Sequence, residues 1–150
     1  SSIYWYNWIA AVLLFSSGFC DVLDGAIARM GGKVTLFGNF LDSLVDRYSD
    51  VAVIFGITLH HGNSVLLGFS GYVWGTLAIL GSVLVSYTRA KAENLGVRLE
   101  TIGIAERSER IIILIVFSLL LHPEWGVVVI AVLANITVLQ RAVYTYKKLR

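Results

Sequence analysis

Four aspartates in the first third of the chain are spaced for joint work. Asp21 and Asp24 stand three residues apart, and Asp42 and Asp46 four apart. On helices each pair shares one face, about one turn apart. Carboxylates gathered in one small volume repel each other unless cations neutralise them. Their hard oxygens suit Mg²⁺, Mn²⁺ or Ca²⁺. Two such ions bridged by carboxylates can grip a pyrophosphate and stabilise an in-line displacement at phosphorus. If three aspartates hold metal, the fourth is available to take the proton of an attacking hydroxyl. The competing reading makes each aspartate a helix-end charge facing water and paired with Arg29, Lys33 or Arg47. That reading suits any one of them better than all four at these spacings.

The elements that must position these carboxylates are membrane helices. Of the 150 residues, 57% are hydrophobic, above the roughly 45–50% of soluble domains. A membrane helix needs about 20 mainly apolar residues. Five stretches qualify, at about 3–28, 38–60, 64–87, 104–121 and 125–146. The expected fold is therefore an all-α, polytopic transmembrane helix bundle forming a single catalytic domain over 1–150. The first stretch lacks a basic leader and runs into Asp21 and Asp24, which argues against a signal peptide. The abrupt start at Ser1 suggests an N-terminally truncated domain. Cys20 is the only cysteine, which excludes an intrachain disulfide and a CxxC metal site; it reads as a small apolar residue on a helix.

Charge placement orients the bundle. Arg29 and Lys33 lie in the first break between apolar stretches, and Arg89, Lys91, Arg98, Arg107 and Arg110 in or beside the third. Lys147, Lys148 and Arg150 close the chain, while Arg47 and Arg141 fall near the same-side ends of their helices. The opposite breaks, at 60–63 and 122–124, hold no lysine or arginine. The positive-inside rule makes the basic side cytoplasmic. Tyr4, Trp5, Tyr6, Trp8 and Trp125 then fall at the outer interface. The first two helices form an antiparallel hairpin through the turn at 30–33, so both carboxylate pairs face each other near the cytoplasmic boundary.

The segment from Asp21 to Asp46 resembles the signature of the CDP-alcohol phosphotransferase family, D-x2-D-G-x2-A-R, a gap of about eight, then G-x3-D-x3-D. It matches at Asp21, Asp24, Gly25, Ala28, Arg29, Gly38, Asp42 and Asp46. The resemblance implies transfer of a substituted phosphate from a CDP-linked donor to an alcohol, dependent on a divalent metal (Mg²⁺ or Mn²⁺, two ions), with release of CMP. It implies that Asp21, Asp24 and Asp42 are metal ligands, with Asp46 as ligand and catalytic base. Asp24, Gly25, Ala28, Arg29 and Gly38 would lie against the cytidine nucleotide. Family members have six membrane helices, against five stretches in this chain.

Further along, Arg89 and Lys91 close the third stretch, and Arg107 and Arg110 open the fourth one turn apart. Arg141 approaches from the fifth at the same depth. Guanidinium forks suit phosphate, so this cluster is the expected site for a phosphate carried by the acceptor. The plainer reading is positive-inside anchoring, with Glu106 and Glu109 as local partners. The strings Tyr-x-Arg-Ala-x-Ala-Glu-x-Leu-Gly from Tyr87 and Gly-Ile-Ala-Glu-Arg-x-Glu-Arg from Gly103 are similar to family members whose acceptor is inositol phosphate. These include phosphatidylinositol-phosphate and archaetidylinositol-phosphate synthases, and enzymes that join CDP-inositol to inositol phosphate. Glycerol 3-phosphate or serine as acceptor is the alternative within the same chemistry. An ion or proton transporter using the Asp cluster is the alternative of another class, and a membrane anchor whose partner domain does the work is a third. The third and fifth stretches carry no ionisable group centrally, which disfavours transport. The expected partners are the CDP-linked lipid or inositol donor, the small polar acceptor, the bilayer and a second copy of the chain. Gly68, Gly71, Gly75 and Gly81 are spaced for helix contact in such a homodimer. No nucleic acid is expected.

Overall fold

The structure, a computed structural model, describes residues 36–99 and 102–150. The expected first helix and its turn lie outside these residues. The described part is mostly helical: α1 (Leu36–His61), a hairpin of β1 (Val65–Leu66) and β2 (Phe69–Ser70), α2 (Gly71–Asn94), α3 (Arg107–Leu119) and α4 (Pro123–Leu149). At 1.5 Å per residue, α2 and α4 run about 36 and about 40 Å, enough to cross a bilayer, and both are apolar enough to do so. The 13 residues of α3 reach only about 20 Å.

Two expected boundaries move. The third stretch was expected to be helical from 64, but the chain first makes the antiparallel hairpin, pairing Val65 with Ser70 and Leu66 with Phe69. Its turn passes through Leu67 (φ 51°) and Gly68 (φ 84°), and left-handed residues in succession cannot continue a right-handed helix. Trp74 Nε1 donates to the Leu66 carbonyl over 2.9 Å and its ring meets Phe69 edge-on, so the hairpin is clamped to α2. The expected fourth helix starts at Arg107 rather than 104. Gly103 has φ 125°, and a Cβ there would collide with Thr137 Cγ2 and fall 3.3 Å from Arg141 Nε. Only glycine combines that dihedral with that approach.

The core forms along the contact of α2 with α4, joined by α1 packing on α2 and α3 packing on α4, around Ile54, Ala78, Val85, Leu114, Val127, Ile130, Ala131 and Ala134. Small residues bring α2 and α4 close, as expected where dispersion rather than hydrophobic exclusion drives association. Asn135 Nδ2 crosses that contact to the Leu77 carbonyl at 3.1 Å. Large apolar side chains, among them Leu80, Val83, Ile136 and Leu139, face outwards, the pattern of a lipid-facing surface.

Three of the four glycines expected at a homodimer contact make close approaches within the chain itself. A Cβ on Gly75 would collide with the Thr58 side chain of α1; on Gly81 it would fall 2.8 Å from Ala134 Cβ on α4, and on Gly71 it would strike the His61 carbonyl. Gly68 belongs to the hairpin turn.

Candidate active site

The alternating charge of the sequence resolves into two ends. At one, His61 Nδ1 lies 3.6 Å from Glu124 Oε2, which joins the two breaks that lack lysine and arginine. At the other, a cavity of about 430 Å³ is lined by Asp42, Asp46, Arg47, Asp50, Ser86, Arg89, Glu106, Arg107, Arg110 and Arg141, among others. It draws on α1, α2, α3, α4 and the 102–106 segment.

Asp42, Asp46 and Asp50 follow one another at intervals of four on α1 and therefore share one face of it. All three line the cavity. Asp46 Oδ1 accepts from Arg107 Nη1 at 2.8 Å, a pairing between the first expected cluster and the second. Asp21, Asp24, Gly25, Ala28 and Arg29 lie outside the described residues. Gly38 sits in the first turn of α1 and does not line the cavity. Among the described residues no group of three His, Cys, Asp or Glu side chains converges on one point. Asp42 and Asp46 alone supply two carboxylates of the hard-oxygen kind that divalent Mg or Mn takes, and their placement on one face fits such an ion.

Of the five basic residues expected to meet an acceptor phosphate, four line the cavity: Arg89, Arg107, Arg110 and Arg141. Lys91 is exposed outside it. Two of the four are buried and held by the protein itself. Arg141, 1% exposed, donates from Nε to the Ile102 carbonyl at 2.7 Å and from Nη1 to Val85 at 2.7 Å. Its Nη2 reaches Glu106 Oε1 at 3.2 Å. Arg110, 4% exposed, donates from Nη1 to the Ala105 carbonyl at 2.7 Å and from Nη2 to Asp50 Oδ2. Arg89 and Arg107 are more open; Arg89 Nη1 lies 3.5 Å from Glu106 Oε1, and Arg107 Nε 3.5 Å from Asp50 Oδ1.

Two acidic residues thus each join a pair of arginines: Glu106 with Arg89 and Arg141, Asp50 with Arg107 and Arg110. In the sequence Glu106 reads only as a local partner, and Asp50 is hidden inside an apolar stretch. The available signal was the repeat of the four-residue interval after Asp46.

A helical bundle with an acidic helix face opposed by arginines is built to handle a phosphorylated substrate at a membrane. The chain matches the CDP-alcohol phosphatidyltransferase family over residues 2–141 and belongs to it; it is an enzyme that transfers substituted phosphate groups. Among its relatives, the archaetidylinositol phosphate synthase of Methanothermobacter thermautotrophicus is 46% identical over 146 residues, covering 93% of this chain and 71% of that protein. The archaetidylinositol phosphate synthase of Pyrococcus horikoshii is 45% identical over 93% of this chain and 70% of its own. In structure the chain is similar to phosphatidylinositol phosphate synthase of Mycobacterium tuberculosis with CDP-DAG bound (TM-score 0.76, 31% identity, 91% of this chain and 72% of that one). The same enzyme in complex with manganese and citrate gives a TM-score of 0.74 at 30% identity, over 91% of this chain and 68% of that one.

Proposed function

We propose that the chain transfers a lipid-linked phosphate from a CDP-linked lipid to a hydroxyl of inositol phosphate, releasing CMP. The observation that carries this reading is the cavity itself, where Asp42 and Asp46 on α1 stand opposite Arg89 and Arg107. An acceptor with its own phosphate satisfies both walls at once: hydroxyl towards the aspartates, phosphate towards the guanidinium forks. Relatives named as inositol phosphate synthases support the same acceptor, and the neighbour holding CDP-DAG supports the donor.

Asp21, Asp24, Asp42 and Asp46 are the proposed holders of two divalent ions, Mg²⁺ or Mn²⁺, with Asp24, Gly25, Ala28, Arg29 and Gly38 against the nucleotide. When bound, the metal supplies positive charge for the pyrophosphate oxygens and the departing CMP. Asp46 takes the proton of the attacking hydroxyl. The acceptor oxygen forms a bond to the lipid-bearing phosphorus, and the pyrophosphate P–O bond breaks with its electron pair on CMP. Arg89 and Arg107 orient the acceptor, while Arg110 and Arg141 hold the wall from behind. The bundle is a single domain spanning the membrane with this cavity on the cytoplasmic side, as its basic end indicates.

The test is CMP release by purified protein with inositol phosphate, glycerol 3-phosphate, serine or free inositol as acceptor. Inositol phosphate is expected to be fastest. Faster release with serine or free inositol would remove the need for an acceptor phosphate and sink the assignment.

A further inference from the structure

Asp50 has no place in the family signature, yet its side chain is 10% exposed and carries two arginines. Its Oδ2 accepts from Arg110 Nη2, and its Oδ1 lies 3.5 Å from Arg107 Nε. Arg107 therefore straddles one turn of α1, with Nη1 on Asp46 at 2.8 Å and Nε towards Asp50. These two carboxylates do not have equal duties. A divalent ion held by Asp42 and Asp46 sets a second cation against the Arg107–Asp46 pair and weakens it. The carboxylate one turn further on keeps its hold, because Asp50 is already engaged by the buried Arg110.

We infer that Asp50 is a positioning residue for the acceptor: it keeps Arg107 turned into the cavity when Asp46 is engaged with metal and proton transfer. Arg110 supplies the rigidity. Buried and fixed to both Ala105 and Asp50, it prevents the Asp50 carboxylate from following Arg107 out towards solvent. The inference rests on the reading that the acceptor brings an anionic group to this wall.

The test uses the full chain in detergent and compares wild type with Asp50→Asn and Asp50→Glu. Three quantities are read: acceptor KM from CMP release, inhibition of that release by inorganic phosphate, and Mn²⁺ binding by electron paramagnetic resonance. Asp50→Asn is expected to raise acceptor KM and weaken phosphate inhibition about tenfold, the loss of one charge-assisted contact, with Mn²⁺ binding unchanged. Asp50→Glu should recover part of the loss. An unchanged acceptor KM, or a parallel loss of Mn²⁺ binding, overturns the inference. Because Asp50→Asn leaves a buried guanidinium unpaired and risks misfolding, the Asp50→Asn/Arg110→Leu double variant is set against Arg110→Leu alone. A weaker acceptor KM in the double variant supports action through Arg107; equal values show that Asp50 only neutralises Arg110 and overturn it. A wild-type enzyme indifferent to inositol phosphate sinks the acceptor reading alone, since phosphate inhibition with whichever acceptor works still reports on the arginine wall.

Discussion

Arg141 donates from Nη1 to the backbone oxygen of Val85 across 2.7 Å, fastening the last helix of the chain to α2 beside the cavity. The same guanidinium holds the Ile102 carbonyl and Glu106, so one side chain ties α2, the 102–106 segment and α4 together. A planar fork with five donors can serve three partners at fixed angles; a lysine ammonium on a flexible stem cannot reproduce that.

Arg141→Lys and Arg141→Ala are therefore both expected to lower the melting temperature of the purified protein. For the alanine variant the loss is about 2 kcal/mol or more, because a buried carbonyl is left without its donor. Thermal unfolding in detergent reads this directly. A variant as stable as wild type would mean that the 102–106 segment is held by other contacts.

Gly75 gives a second prediction. A methyl group there collides with Thr58, whose hydroxyl is already committed to the Ile54 carbonyl at 2.7 Å. Gly75→Ala should destabilise by about 1–3 kcal/mol through overpacking between α1 and α2. Thr58→Ala in the same chain should relieve part of that cost, and the double-variant comparison of unfolding temperatures checks the pairing.

The third prediction concerns Asp46 and metal. Asp46→Asn keeps the side-chain shape and removes the base, so CMP release should fall by about 10²–10⁴-fold while binding of the CDP-linked donor persists. Chelation with EDTA should stop release in the wild-type protein, and Mg²⁺ or Mn²⁺ should restore it. Donor binding is read by isothermal titration and turnover by CMP formation. An Asp46→Asn enzyme that turns over at the wild-type rate removes that residue from the chemistry.

Much of the site was legible because charge is expensive in lipid and its placement is therefore informative. The alternation of basic and non-basic breaks anticipated that Arg89, Arg107, Arg110 and Arg141 would line the cavity with Asp42 and Asp46. What escaped was local. The apolar run Val65-Leu66-Leu67 reads as helix until the left-handed turn at Leu67 and Gly68 is seen. Likewise the glycines of α2 advertise close approach without naming the neighbour. Burial of Arg110 and Arg141 was equally invisible, since an arginine tied to backbone carbonyls and one awaiting phosphate look the same in one dimension. Asp50 was hidden for the opposite reason, being a lone charge inside a stretch counted as greasy.

The unwound segment before α3 has a consequence for how reactants meet. The Ile104 amide donates to Thr137 Oγ1 at 3.1 Å, and Thr137 lies 14 residues into α4, about 21 Å from its start at Pro123. With Pro123 at one boundary of a core about 30 Å thick, α4 thus meets irregular backbone roughly two-thirds of the way across, towards the basic end. Hydrocarbon offers such backbone no partners, and it survives at depth only against protein or beside water. Thr137 and Arg141 supply partners to that backbone, and Glu106 at its end lines the cavity. For the proposed reaction, a polar inlet beside this segment would let a water-borne acceptor meet a donor still seated in the membrane.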